Sequence, residues 1–394
     1  MSVKRSLFVG AAALTMAATS ANAGTQINLI GIDNIASQQA QTGFKIAAAY
    51  WESQLTNNAT VNLNVAFNAL PTGVIGSTGS TRADISVANW KNLLNASKST
   101  SAIDSSIVLP TLTSGGITAL TTGLNAQGRM DTSVTGILNG TQTASQVLWN
   151  NTAAIKAVLN NNAASGLVDG SMTFSSTFAF DFDPTDGITA GTFDFIGVAI
   201  HEMGHALGFV SGVDLFDVYS RPNGPGRNSL PVGYTFNNTS VFSALDMFRY
   251  GAPGLLDLRV GNNPYFSIDG GVTNLFDNHF ATGRYNGDGD QASHWKDAEG
   301  ANVCGPQLGI LDPTFCFGQM GEVTGLDLAA YDAIGWNLKS NALTYGTVST
   351  ASIFDALRFT AVPEPSTWGM MILGFGFIGG TMRRRKASLR VTYA

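Results

Sequence analysis

The stretch that most limits what this chain can become is His201 to Phe209, His-Glu-Met-Gly-His-Ala-Leu-Gly-Phe. On an α-helix, positions i and i+4 share a face one turn apart, so His201 and His205 aim two imidazoles at a single metal ion. Glu202 is displaced around the helix, where its carboxylate reaches a water held by that metal without being a ligand. Ile196, Ile200, Met203 and Leu207 fall at spacings of four, three and four and form a buried stripe beside the histidines. Thr192 reads as the N-cap with Asp194 in the first turn, and Gly208 as the residue that ends or bends the helix. The same five-residue pattern also occurs on helices that hold no metal. Scarcity decides in favour of zinc here. The chain has 4 histidines (His201, His205, His279, His294) and glutamates only at positions 52, 202, 299, 322 and 364, yet two histidines and a glutamate fall within one helical turn and a half.

Both ends read as processing signals. Lys4 and Arg5, an apolar run from Leu7 to Ala18, and Ala21-Asn22-Ala23 make a secretory signal peptide over residues 1–23. At the other end, Val362-Pro363-Glu364-Pro365 precedes an apolar run from Trp368 to Met382 and the cluster Arg383-Arg384-Arg385-Lys386. Such a segment stops in a membrane with its basic end in the cytoplasm. It resembles the PEP-CTERM sorting signal of bacterial envelope proteins, which implies transient membrane association through 368–382 and cleavage by an exosortase near Pro-Glu-Pro. An ordinary single-span anchor would leave the same body outside the membrane.

Two basic residues lie in 1–23 and five in 366–394, so the body keeps 14 basic against 27 acidic side chains, a net charge of −13. That excludes a nucleic-acid binder, which needs a basic surface. Cys304 and Cys316 are bound for an oxidising compartment and are expected to pair. No C-x-x-C spacing offers them to zinc.

Within the body, Ile27 to Leu70 reads strand, helix, strand: Phe44, Ala47, Ala48, Trp51 and Leu55 form a helical stripe, and Val61, Leu63, Val65 and Phe67 alternate with their neighbours. This is a crossover unit with parallel strands. Pro71 to Asp169 reads as an elaborated connection with helical patches near Val87 to Ala96 and Ser145 to Leu159. Met172 to Phe182 alternates as one half-buried strand. The acidic run Asp181, Asp183, Asp186 has the hard oxygens of a structural calcium site, and equally the composition of a solvated turn.

A catalytic zinc takes three protein ligands and leaves a position for water. The residue six positions after His205 is Ser211, a poor ligand, and Asp214 lies beyond the helix. Glu299 sits in a Gly-flanked loop far downstream. His279 and His294 remain. Around His294 the chain reads Ala292-Ser293-His294-Trp295-Lys296, followed by Gly309-Ile310-Leu311-Asp312-Pro313. Together with His-Glu-x-x-His-Ala-Leu-Gly-Phe, this resembles the leishmanolysin branch of the metzincin metalloproteases, where a long insertion separates the helix from a third histidine in Ser-His-Trp and a methionine turn follows. The resemblance implies His201, His205 and His294 as zinc ligands and Glu202 as catalytic base. Ile310 to Pro313 would be the turn, with Leu311 where the family has methionine and Met320 or Met247 as other sources of sulfur. Thr324 to Trp336 would be the closing helix. For His279 it implies a role at the surface or behind the ligands.

The resemblance implies an α+β zincin fold with a twisted mixed sheet. Its expected parts are 1–23 signal peptide, 24–212 N-terminal subdomain, 213–345 smaller, mostly irregular or helical C-terminal subdomain, 346–361 linker, and 362–394 sorting segment. It also implies an exported, zinc-dependent endopeptidase acting on protein or peptide substrates. The insertion between His205 and His294, which carries Tyr219, Tyr234, Phe236, Phe242, Phe248, Tyr250 and Tyr265, is long enough to form a flap or a small lobe over the cleft. The rival expectation is an envelope or matrix module that keeps the fold without turnover, and a non-peptide hydrolase is a third.

Overall fold

The computed structural model describes residues 24–162, 165–220, 235–297 and 304–358. The signal peptide and the sorting segment with its apolar run 368–382 lie outside them. Among the described residues no helix is long and apolar enough to cross a membrane.

The chain opens with β1 (Gln26–Ile30), α1 (Gln38–Gln54) and β2 (Thr60–Asn68). β3 (Gly76–Ser80), β4 (Arg82–Ser86), α2 (Val87–Ser97), α3 (Ala102–Ser106), β5 (Thr118–Leu124) and β6 (Met130–Asn139) follow. Next come α4 (Thr143–Gln146), β7 (Val147–Asn151), α5 (Thr152–Leu159), β8 (Gly170–Ser175), β9 (Phe180–Asp181) and β10 (Phe193–Asp194). α6 (Phe195–Leu207) and α7 (Val213–Ser220) lead to β11 (Arg249–Ala252), β12 (Leu255–Leu258) and β13 (Tyr265–Phe266). β14 (Glu322–Val323), α8 (Gly325–Ile334), β15 (Val348–Ser349) and α9 (Thr350–Leu357) close the domain. The architecture is mixed α+β.

The expected crossover is present: β1 and β2 pair in parallel from Gln26↔Thr60 onward, with α1 between them. Ser37 caps α1 by accepting from the Ala40 amide at 3.2 Å. A first sheet has the order β1-β2-β8-β3, in which β3 runs antiparallel to β8 at the edge. A second has the order β13-β11-β12-β5-β6, so it joins strands from before and after α6.

α1 and α6 stack on one face of the first sheet. Gly43 permits the approach, since a Cβ there would meet the Phe195 ring at 2.4 Å. Phe44 packs edge-on against Phe174 and Phe195 at centroid distances of 4.8 and 5.0 Å. Two buried indoles tie the layers to α6 by donating to its carbonyls: Trp51 to Ile200 at 3.1 Å and Trp336 to Leu207 at 2.9 Å.

Several expectations change. Met172 to Phe182 is two strands, because the Ser175 and Thr177 hydroxyls bond each other at 2.8 Å and the Ser176 amide turns to Asn68. Ser145 to Leu159 is interrupted by β7, whose residues pair with β4. The helix carrying the histidines starts two residues later than Thr192 suggests: Asp194 is the N-cap and accepts from the Gly197 amide at 3.0 Å. The stretch expected as a linker is ordered as far as Arg358. Ser349 caps α9, Ile353 is buried, and the Thr350 hydroxyl donates to Asp194 at 2.5 Å.

Candidate metal centre

α6 is buried along nearly its whole length, and Gly208 at φ 129° ends it. His201 and His205 therefore project from a rigid element. The loop bearing His294 is carried to them from 89 positions downstream, and three Nε2 atoms converge: His201 to His205 3.0 Å, His205 to His294 3.1 Å, His201 to His294 3.3 Å.

The outer ring nitrogens show what these contacts are. Nδ1 of His201 lies 2.7 Å from the Ile310 carbonyl, that of His205 2.8 Å from Phe209, and that of His294 3.2 Å from Gln291. A carbonyl oxygen only accepts, so each Nδ1 carries the proton and each Nε2 presents a lone pair. Burial lowers the His201 pKa to about 3, with His205 adding to the effect and the Ile310 carbonyl opposing it. Burial likewise lowers His205 to about 4, and holds His294 well below its ordinary value. All three rings are neutral near pH 7. Three lone pairs facing one another at this range repel unless a cation sits between them. Tetrahedral zinc with bonds of about 2.0–2.1 Å separates its nitrogen ligands by roughly 3.3 Å, so the donor set fits that ion in type and spacing. Among the described residues this trio is the group of three or more metal-ligating side chains whose donor atoms gather.

Glu202 is buried at the same cleft, a cavity of about 890 Å³ that all three histidines line. Burial pushes its carboxyl up to about 7. β3 forms one wall: the Thr78 hydroxyl donates to the Glu202 carbonyl at 3.2 Å and the Ser80 hydroxyl to that of His205 at 3.3 Å. A Cβ on Gly76 would lie 2.9 Å from Glu202 Oε1, so glycine leaves the carboxylate its space.

Two carboxylates support the candidate ligands. Asp327, fully buried in α8, accepts from the Ile310 amide at 2.9 Å, the Leu311 amide at 3.3 Å and the Trp295 indole at 2.9 Å. It thus joins the turn that orients His201 to the residue beside His294. A Thr-x-x-Asp capping pattern at Thr324 was its visible signal. Asp214, considered and set aside as a ligand, accepts from the Ala292 amide at 2.7 Å and from the Ser293 hydroxyl, anchoring the His294 loop. Ser211 donates to Asp246 at 2.5 Å and is no ligand.

Leu311 is fully buried, and its methyl carbons would stand 3.3 and 3.4 Å from a Cβ on Gly204, so it packs on α6 beneath the histidines. Met247 is core, and Met320 is half-buried. His279 lies apart, its Nδ1 3.2 Å from the Asn263 carbonyl. Of the insertion's aromatics, Tyr219 lines the cleft, while Phe242, Phe248 and Tyr250 are buried in the core. Tyr234 and Glu299 lie outside the described residues. In the acidic run, Asp181 accepts from the Thr189 amide and hydroxyl, and Asp183 from those of Thr185, as turn residues do. Cys304 and Cys316 form the expected disulfide, with Cα atoms 5.9 Å apart.

Comparison with known proteins decides one end of the chain. Residues 361–386 match the PEP-CTERM protein-sorting motif. The match supports an exported protein sorted to the cell envelope and recognised by an exosortase-type enzyme. No curated protein and no solved structure matches the chain significantly.

Proposed function

We propose that the protein is a zinc-dependent endopeptidase of the cell envelope, with His201, His205 and His294 holding the metal and Glu202 as general base. The reading keeps the likeness to the leishmanolysin branch of the metzincins. One observation carries it: three neutral imidazoles turn their lone pairs to a common point in a cleft that also holds a buried glutamate. Bound zinc would bring the pKa of a coordinated water towards ~7 and polarise a carbonyl. Glu202, with a carboxyl at about 7, is matched to taking a proton from the attacking water and delivering it to the leaving amine.

Support for a peptide as substrate comes from β3. The Ser175 amide donates to the Ile75 carbonyl and the Thr81 amide to that of Asp169. By the alternation of an antiparallel ladder, the N–H and C=O groups of Gly76, Thr78 and Ser80 then face away from β8, along the free edge. An extended peptide can add there as another strand, beside the histidines.

Zinc content and casein hydrolysis, compared between wild type and Glu202→Ala, test the proposal. Loss of hydrolysis with zinc retained supports it. Equal behaviour of the two proteins favours the envelope or matrix module that the sorting motif also suits.

A further inference from the structure

Arg82 brings to the cleft a guanidinium that makes no hydrogen bond among the described residues. It opens β4, one residue after β3, and lines the same cavity as the three histidines and Glu202. Across β4 and β7, Arg82 pairs with Asn151 and Asp84 with Trp149, so Arg82 and Trp149 are diagonal neighbours on one face. The guanidinium carbon lies 4.8 Å from the Trp149 ring centroid, and this stacking holds the planar cation in place. Among the described residues it makes no hydrogen bond or ion pair, and Asp246 and Asp214 attract it only from a longer range. Its donors are free for whatever enters the cleft. The cleft's other arginine, Arg284, is exposed and lies near Asp290. The body carries a net charge of −13, so an anion is drawn here by this local group and not by the protein's overall field.

Resting on the peptidase reading, we propose that Arg82 binds a substrate carboxylate and makes the enzyme selective for acidic peptides. Direction narrows its source. The Gly76 end of β3 adjoins Glu202 and the Ser80 end adjoins the His205 carbonyl, with Arg82 beyond it. A peptide adding antiparallel to β3 runs from Arg82 towards Gly76. In that orientation, which the proposal takes, the group at Arg82 precedes the scissile bond, so the carboxylate is that of an Asp or Glu side chain and not the substrate's C-terminus. The planar fork of arginine suits two-point binding of that group.

Quenched-fluorescence peptides carrying Asp, Glu, Asn or Gln at each of several positions before the bond provide the test, together with matched free and amidated C-termini. In the zinc-loaded wild type, kcat/KM for the acid should exceed that for its amide isostere by about tenfold or more at one position. The ratio should fall to near one in Arg82→Gln and recover in part in Arg82→Lys. An equal acid-to-amide ratio in wild type and Arg82→Gln overturns the proposal. An Arg82-dependent preference for the free terminus alone overturns the assignment to a side chain. Binding of the same peptides to Glu202→Gln, read by fluorescence anisotropy, separates this site from the peptidase reading. If no peptide is cut by wild type, yet adding Arg82→Gln weakens acidic-peptide binding about tenfold, the carboxylate site stands and the peptidase reading falls. Unchanged binding overturns the site whatever the hydrolysis result.

Discussion

Replacing Asp327 by asparagine tests whether the two arms of the proposed metal centre are held by one carboxylate. Oδ2 accepts from the Thr324 amide at 2.8 Å and the Ile310 amide at 2.9 Å, while Oδ1 accepts from the Leu311 amide and the Trp295 indole. Asparagine keeps one acceptor oxygen, and its amide nitrogen faces donors whichever way it is turned. Either orientation orphans two N–H groups that are buried or half-buried. At about 1–3 kcal/mol each, the variant should lose about 2–6 kcal/mol of stability, which leaves a typical domain folded but weakened. Because Ile310 orients His201 and Trp295 follows His294, zinc affinity should fall by about tenfold or more. Urea unfolding of metal-free protein gives the first quantity, and competition with a zinc chelator gives the second. Lower stability with wild-type zinc affinity would refute the argument that Asp327 positions the ligands, and leave it a structural residue.

Two other substitutions probe the same structure. Asp332 is buried beside Asp104, and burial, with that neighbour's charge, pushes its carboxyl up to about 7 against the Ser101 hydroxyl. A carboxyl raised this far penalises the folded state as it ionises, so its destabilisation grows from about pH 4 and is complete above about pH 7. Asp332→Asn should therefore stabilise the protein by about 2–4 kcal/mol at pH 8 and by little at pH 4, read by denaturation at both values. A pH-independent effect would contradict the cause given. Gly76→Ala places a Cβ 2.9 Å from Glu202 Oε1, the mobile end of a side chain. Displacing that carboxylate should cut casein hydrolysis about tenfold or more while zinc content holds, and unaltered turnover would count against Glu202 as the base.

Much of the centre was legible because its parts are local. Two histidines four apart, a glutamate between them and an apolar stripe need only the helical period. Ser-His-Trp pointed to His294 through a family likeness, since no periodicity links residues so far apart. The first crossover was legible for the same local reason. Features set by distant pairing were not. β7 looks helical by composition but is a strand because β4 lies beside it, and the second sheet joins segments on either side of α6. The insertion's length suggested a flap, and its Phe242, Phe248 and Tyr250 are core, because composition says that a ring is buried and not where. Asp214, in the first turn of α7, and Asp246 carry no distinguishing pattern, and their roles come from the loops folded against them.

The measurement closest to the central claim is the zinc content of the exported body in wild type, His294→Ala and His279→Ala, with X-ray absorption at the metal edge. The account predicts one zinc per chain bound by three imidazole nitrogens at about 2.0–2.1 Å in wild type and His279→Ala, and loss of tight binding in His294→Ala. Zinc held with wild-type affinity and coordination after His294→Ala would contradict it.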